Sequence, residues 1–267
     1  LAQSPGASPW LVASGAYWGA RGELRLRRPQ HVSYWLKLAA RDPRTFYGLL
    51  ATRVLGLKPK LDWRSSILTE AHLAVLDRST AVRRARALVE VDQGARAEKE
   101  IRVLWPRASS ALASAILPLV NQLGLAEIQI TLGTELRKID GKTHDSAAFP
   151  LPDWQPKGGY IIDRALIFAL IRQESKFKAT ARNRSGARGL MQLMPGTARF
   201  AARQERITGV NSHTLLNPEL NIALGQSYVQ HLLTQDVVDG NIFFLLCAYN
   251  AGPGNLKKWL PKTKFNE

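Results

Sequence analysis

Residues 161–195 form the stretch that decides the fold, IIDRALIFALIRQESKFKATARNRSGARGLMQLMP. Its first part predicts a helix over 161–175, in which Ile167, Leu170 and Ile171 precede Glu174 by seven, four and three positions. Those offsets bring the four side chains to one face of an α-helix. Glu174 therefore continues an apolar stripe, and it lies near the helix end where the macrodipole is negative.

Both surroundings favour the uncharged form of the Glu174 carboxyl. Desolvation beside apolar side chains and a negative helix end each raise the pKa of a carboxylic acid. An acid that stays protonated near neutral pH is what a glycosidase needs as its general acid. The alternative is a helix that ends in a surface glutamate paired with Arg172, Lys176 or Lys178, and this helix alone leaves both interpretations open.

Two segments farther along the chain carry side chains suited to binding a sugar. In GARGLMQLMP, residues 186–195, Gln192 offers an amide between apolar residues, and Met191 and Met194 offer adaptable apolar contacts. In AYNAGPG, residues 248–254, an apolar helix ends with Tyr249 and a turn. Either segment alone is also compatible with an ordinary loop or helix end.

Taken in this order, the three segments resemble the signature of soluble lytic murein transglycosylases, whose catalytic domain is related to goose-type lysozyme. The motifs are QES at 173–175, GLMQLMP at 189–195 and AYNAGP at 248–253. The resemblance covers about residues 146–260. PLPDW at 150–154 resembles the entry to that domain, and residues 17–21 and 44–51 resemble the family's superhelical region.

This resemblance implies an all-α fold, with at most a small hairpin in the loop 178–194. Residues 1–138 are expected to form an irregular α-superhelix, and residues 139–267 a lysozyme-like catalytic domain. Family members continue beyond the AYNAGP helix with a segment that contains Glu-Thr-Arg and closes the groove. Because this sequence ends at Glu267 without that segment, the catalytic domain is expected to be incomplete at its C-terminus.

The resemblance also assigns roles to individual residues. Glu174 falls on the catalytic glutamate of the family, which cleaves peptidoglycan between N-acetylmuramic acid and N-acetylglucosamine. The predicted substrate-binding residues are those at the groove and supporting positions of the motifs: Gln192, Met194, Tyr249, Ser175, Met191, Asn250 and Asn183, the last at a position where many members have Ser.

A single acid is compatible with a lytic transglycosylase and less so with a hydrolase. Hydrolytic glycosidases usually need two carboxylates, and the later candidates, Glu205, Glu219, Asp236 and Asp239, lie in no motif. In a transglycosylase, Glu174 would act first as acid and then as base, and a 1,6-anhydromuramyl end would form without water. The alternatives are a hydrolytic muramidase and a non-catalytic peptidoglycan-binding helical-repeat protein.

The remainder of the chain predicts helices joined by short links. Proline and glycine separate the candidate segments, and the Pro- and Gly-rich residues 139–160 are interpreted as linker. We expect helices 79–92 and 95–105 to form a hairpin in which Gly94 takes a left-handed helix cap. We also expect the tryptophans of the first half of the chain to be core residues, namely Trp18, Trp35, Trp63 and Trp105. The predicted helices are 10–20, 30–41, 43–56, 66–76, 79–92, 95–105, 107–122, 125–137, 161–175, 195–204, 217–234, 239–249 and 254–260.

Composition narrows the possible partners. The 267 residues include 37 Lys and Arg against 21 Asp and Glu, a net charge of +16, and such a field attracts polyanions. Peptidoglycan strands with peptide carboxylates fit, whereas base-reading repeats of a nucleic-acid binder are absent, so no nucleic acid is expected. No apolar stretch reaches 18 residues, so no transmembrane helix is expected.

Neither a cofactor nor a metal is predicted, since the five histidines show no paired ligand spacing. Cys247 lies in an apolar run and is expected to be a buried, inert thiol. The sequence begins at Leu1 without a signal-peptide pattern and is interpreted as a mature or trimmed fragment. The resemblance implies a periplasmic protein, and a monomer is expected.

Overall fold

A computed structural model describes residue 2, residue 4, residues 6–64 and residues 67–260. Over these residues the chain is all-α, as predicted, and outside its helices has only isolated β-bridges. Most predicted helices agree with the observed bounds to within about three residues. The α-helices, numbered α1 to α14 in chain order, are Pro9–Arg25, Pro29–Ala39, Phe46–Val54, Glu70–Leu76, Thr80–Glu90, Gly94–Leu104, Ser110–Gln122, Ala126–Asp140, Asp145–Ala148, Arg164–Ser175, Pro195–Gln204, Pro218–Leu233, Ile242–Ala251 and Pro253–Trp259.

The chain divides into two compact units, residues 1–64 and 65–267. In the first unit α1, α2 and α3 pack through small side chains such as Ala16, Ala39 and Ala51, which are fully buried. Trp18 of α1 and Trp63 in the irregular segment after α3 are each more than half exposed. The expectation that these two tryptophans are core residues is wrong.

The second unit contains two hydrophobic cores that share helix α8. Ile128 and Leu132 face the core built from residues 76–147. Ala126 and Ile130 contact the other core, which is built mainly from residues 167–256. The helix therefore forms a wall common to both cores. The boundary predicted at 138/139 falls inside this unit and stays a prediction. Short helix α9 lies within the segment interpreted as linker, because its Ala147 enters the first core.

The hairpin of α5 and α6 forms as predicted but turns at a different residue. Ala85 of α5 is buried in the same core as Ala97 and Ile101 of α6. Asp92, with φ of 55°, takes the left-handed position that was predicted for Gly94, which instead begins α6. Aspartate tolerates this conformation because its short polar side chain can bond locally.

A half-buried carboxyl joins α6 to the start of α8. Glu98 Oε1 accepts the backbone N–H groups of Glu127 (3.0 Å) and Ile128 (3.3 Å) and so caps α8, whose own N-cap residue offers no side-chain bond. Burial, the nearby charge of Glu127 and a hydrogen bond with it raise the pKa of Glu98 to about 8. Glu127 is paired in turn with Arg102 at 2.9 Å.

We expect Glu98→Gln to stabilise the protein in alkaline solution. Glu98 ionises in the unfolded chain near its ordinary pKa of 4.5 and in the folded chain near 8, so folding stability is lost as the pH rises between these values. A glutamine keeps the accepting oxygen without the charge. The free energy of unfolding at pH 9, relative to that at pH 4, should exceed that of the wild type by roughly 2–4 kcal/mol. Urea unfolding across this range measures the difference, and a Glu98→Gln variant with the wild-type pH dependence would contradict the raised pKa of Glu98.

Candidate active site

Helix α10 ends at Ser175, where the chain turns sharply. Lys176 and Phe177 both take left-handed backbone conformations, with φ of 52° and 66°. The Phe177 side chain is buried and stacks on Trp154 with ring centroids 6.1 Å apart. It also meets Phe168 of α10 edge to face at 5.7 Å. This aromatic cluster anchors the last turn of α10, which carries Glu174.

The Glu174 carboxyl is half-buried, and its burial raises its pKa above the ordinary value. Over the described parts of the chain, no ion pair or hydrogen bond to this carboxyl is found. Arg172 instead donates from Nε to the Ala148 carbonyl at 2.8 Å, and Lys178 pairs with Glu127 at 3.7 Å. Two of the three basic neighbours that could have neutralised Glu174 are therefore engaged elsewhere.

Glu174 lines a cavity of about 390 Å³ in the second unit. The cavity brings together six of the eight residues predicted for the site, from α10, α13 and the loop before α11. Glu174 is the single carboxylate among the described residues that line it. The lining residues are Glu174, Asn183, Ala187, Gln192, Leu193, Met194, Thr197, Tyr228, Tyr249, Asn250, Ala251 and Gly252.

The two other predicted residues do not line the cavity. Ser175 donates its hydroxyl to the Ile171 carbonyl of its own helix at 3.1 Å. Met191 is fully buried in the core, where its backbone carbonyl accepts the Tyr249 hydroxyl at 2.7 Å. Substrate contact by Ser175 and Met191 stays a prediction, and their positions fit support of the cavity wall.

The loop between α10 and α11 is held by its own hydrogen bonds. Asn183 Oδ1 accepts the Ala187 N–H at 2.7 Å and closes the turn. Isolated bridges join Arg188 to Arg182 and to Leu193, so the small hairpin expected in this loop is reduced to single bridges. Gln192 has a left-handed backbone, with φ of 46°. Its amide donates to the Gly189 carbonyl at 2.9 Å, which fixes this side chain at the cavity.

Two tyrosines, Tyr228 and Tyr249, also line the cavity. Burial and the charges of Glu174 and Tyr228 raise the pKa of Tyr249 far above its usual range, so its hydroxyl stays protonated and donates to Met191. The Tyr228 ring lies 5.9 Å from that of Tyr249. Sequence analysis missed Tyr228 and Thr197. The available signal for Tyr228 was a polar aromatic residue within the apolar helix α12.

The other acidic residues considered above and Cys247 lie outside the cavity. Glu205 and Glu219 line a separate cavity of about 750 Å³. Asp163 accepts the Ala165 N–H at 2.7 Å and caps the start of α10. Cys247 is exposed, so its predicted burial is wrong. Helix α13 buries Leu245 and Ala248 and turns Cys247 outward.

The described residues contain no cluster of three or more histidine, cysteine, aspartate or glutamate side chains arranged to hold a metal ion. Over the same parts of the chain, every helix is too short or too polar to cross a membrane.

The residues that line the cavity lie in a part of the chain that matches a known domain family. The family described as Transglycosylase SLT domain matches residues 155–267. The soluble lytic murein transglycosylase of Escherichia coli strain K12 is 42% identical over 103 residues. This alignment covers 38% of the present chain and 16% of the E. coli protein, so the chain matches only a small part of that relative.

Structural similarity extends over nearly the whole chain. The crystal structure of the 70 kDa soluble lytic transglycosylase from E. coli has a TM-score of 0.76 at 26% identity, and the match covers 93% of this chain and 40% of that one. Lytic transglycosylase Slt from Pseudomonas aeruginosa, solved as an inactive mutant, gives a TM-score of 0.69 at 27% identity, with coverage of 94% and 41%. The predicted class, a helical array followed by a lysozyme-like domain, is confirmed by this likeness.

Proposed function

We propose that this chain carries the catalytic site of a lytic transglycosylase that cleaves peptidoglycan, because residues 155–267 match the transglycosylase SLT domain family. The bond cleaved joins N-acetylmuramic acid to N-acetylglucosamine. The observation that supports this most directly is Glu174, a carboxyl with a raised pKa and no charged partner among the described residues, facing a cavity bordered by amides and tyrosines.

The reaction needs one carboxyl group in two successive roles. Protonated Glu174 donates its proton to the glycosidic oxygen as that bond to the muramyl C1 breaks. The 2-acetamido group of the substrate stabilises the positive charge at C1, as in substrate-assisted enzymes. The Glu174 carboxylate then accepts the proton of the muramyl C6 hydroxyl, whose oxygen bonds to C1. The proton balance closes without water, and the product is a 1,6-anhydromuramyl end.

The residues around Glu174 suit this sequence of steps. Burial keeps the carboxyl protonated at higher pH than in water, so a general acid is available near neutrality. Gln192 and Asn250 border the cavity and can hold the polar substituents of the sugar, while Met194 offers an exposed apolar side chain for its ring. Because Tyr249 stays protonated, it adds no negative charge beside the carboxylate formed in the first step.

The charge of the chain suits an anionic polymer as substrate. A net charge of +16 attracts strands that carry peptide carboxylates, and this attraction weakens with salt. The location proposed is the periplasm, where the murein of a Gram-negative cell lies. The helices of residues 1–138 can offer further surface to the glycan, or act as a scaffold for the catalytic domain.

Product analysis tests the proposal. Purified peptidoglycan is digested with this protein, and the masses of the soluble fragments are measured by mass spectrometry. The muropeptides released should carry 1,6-anhydromuramyl ends. These products lack one water relative to reducing ends, so their masses separate the two reactions. Reducing muramyl ends would instead identify a hydrolytic muramidase. Binding of peptidoglycan without release of fragments would identify a non-catalytic binder.

A further inference from the structure

A buried amide behind the cavity wall holds three parts of the backbone together. Asn221 lies in the first turn of α12 and is fully buried. Its Nδ2 donates to the carbonyls of Arg188 (3.1 Å) and Leu215 (2.9 Å). Its Oδ1 accepts the N–H of Met191 at 2.8 Å. Both amide hydrogens and the amide oxygen are thus used, all on backbone groups outside its own helix.

The loop approaches α12 so closely that glycine is required at two positions. Gly189 has φ of 76°, and a Cβ there would overlap the Asn221 amide and the Leu215 carbonyl oxygen. The second position is Gly225, one turn after Asn221 in α12. A Cβ at Gly225 would overlap the Met191 side chain. The amide and the glycine of α12 therefore determine where Met191 sits.

From Met191 the chain of contacts continues to the cavity. The Met191 carbonyl accepts the Tyr249 hydroxyl at 2.7 Å, and Tyr249 lines the cavity beside Glu174. The next residue, Gln192, also lines the cavity and donates its amide to the Gly189 carbonyl. Asn221 itself is not among the residues that line the cavity.

We propose that Asn221 is a positioning residue of the transglycosylase reaction, which sets Gln192 and Tyr249 around Glu174 by holding the backbone of residues 188–191. This inference rests on the proposed function. Asn221 contacts no substrate, and its effect passes through the Met191 backbone. A shift of about 1 Å in such a wall is enough to lower turnover by about 100-fold.

The test compares Asn221→Asp with Gln226→Glu, a matched change on the same helix. Gln226 is a buried amide too, but it bonds to the backbone of Gly159 (2.9 Å) and Ile161 (3.1 Å), away from Glu174. Both variants replace an amide NH₂ that faces a carbonyl with an oxygen or hydroxyl. Thermal unfolding should show destabilisation of both. For peptidoglycan cleavage by the folded protein, Asn221→Asp should lower kcat by about 100-fold with KM changed little, whereas Gln226→Glu should keep the wild-type kcat.

The remaining outcomes separate the two proposals. Equal loss of activity in both variants, in proportion to their unfolded fractions, would show that Asn221 is merely structural. If Asn221→Asp does not fold, Tyr249→Phe decides, since it removes the same link from the other end: an unchanged kcat would contradict the positioning role. A wild-type chain that releases no muropeptides would contradict the proposed function itself, and with it the inference.

Discussion

Replacement of Glu174 by glutamine is expected to lower the release of muropeptides by about 1,000-fold or more. General acid–base catalysis by one group contributes about 10²–10⁴-fold, and in the proposed mechanism the same carboxyl serves both proton transfers. The glutamine has nearly the same shape, and the described residues make no hydrogen bond or ion pair to this carboxyl that the change would break. The thermal unfolding temperature should therefore stay close to that of the wild type. Initial rates of soluble fragment release measure the effect.

The pH profile gives an independent check on this role. The first step of the proposed mechanism requires protonated Glu174, so turnover should fall as the pH rises through its pKa. Burial raises that pKa, so the fall should lie at higher pH than an ordinary glutamate, with a pKa near 4.5, would give. If the Glu174→Gln variant kept more than about a tenth of the wild-type rate, Glu174 would not be the general acid of the reaction. Glu219→Gln, at the separate cavity, is the control and should keep full activity.

The second large effect is expected at Gly189. Its backbone has φ of 76°, and an added Cβ would overlap the Asn221 amide and the Leu215 carbonyl. Gly189→Ala therefore combines a left-handed alanine with displacement of a buried amide from its hydrogen bonds. The free energy of unfolding should fall by about 3–5 kcal/mol. Chemical denaturation measures this loss of stability. The fraction of Gly189→Ala protein that remains folded should also cleave peptidoglycan more slowly than the wild type.

Gly186 offers a matched control three residues earlier. Its φ is also positive, at 98°, but a Cβ there would meet only Pro195 Cδ, at 4.0 Å. Gly186→Ala should therefore cost only the backbone strain, about 1–2 kcal/mol. Equal destabilisation by the two alanines would show that the close approach of the loop to α12 contributes little. The difference between them measures that approach directly.

Local sequence patterns were sufficient for most of the helices and for the raised pKa of Glu174. The apolar period before Glu174 placed it on the buried face of α10, and the structure gives the predicted direction of its pKa shift. Turn residues located most helix ends. Where the prediction was wrong, at Gly94, neighbouring Asp92 could adopt the same conformation, and local propensity does not choose between adjacent candidates.

Burial of single side chains was less predictable. Cys247 and Trp18 both lie in apolar or aromatic surroundings in the sequence and are exposed in the structure. Which face of a helix is covered depends on the neighbours that pack against it, and these neighbours come from distant parts of the chain. The structure also placed Met191 behind the cavity and Tyr228 at its edge.

The sequence by itself indicated the helical class, the likeness of residues 155–267 to the transglycosylase SLT domain and the proposed proton donor, Glu174, because each rests on short motifs and local periodicity. Only the tertiary structure decided which side chains border the cavity and which stand behind it. The contacts responsible join Asn221 to Met191, 30 residues apart, and Tyr249 to Met191, 58 residues apart. No local period encodes such contacts, because they form only when separate helices pack on one core.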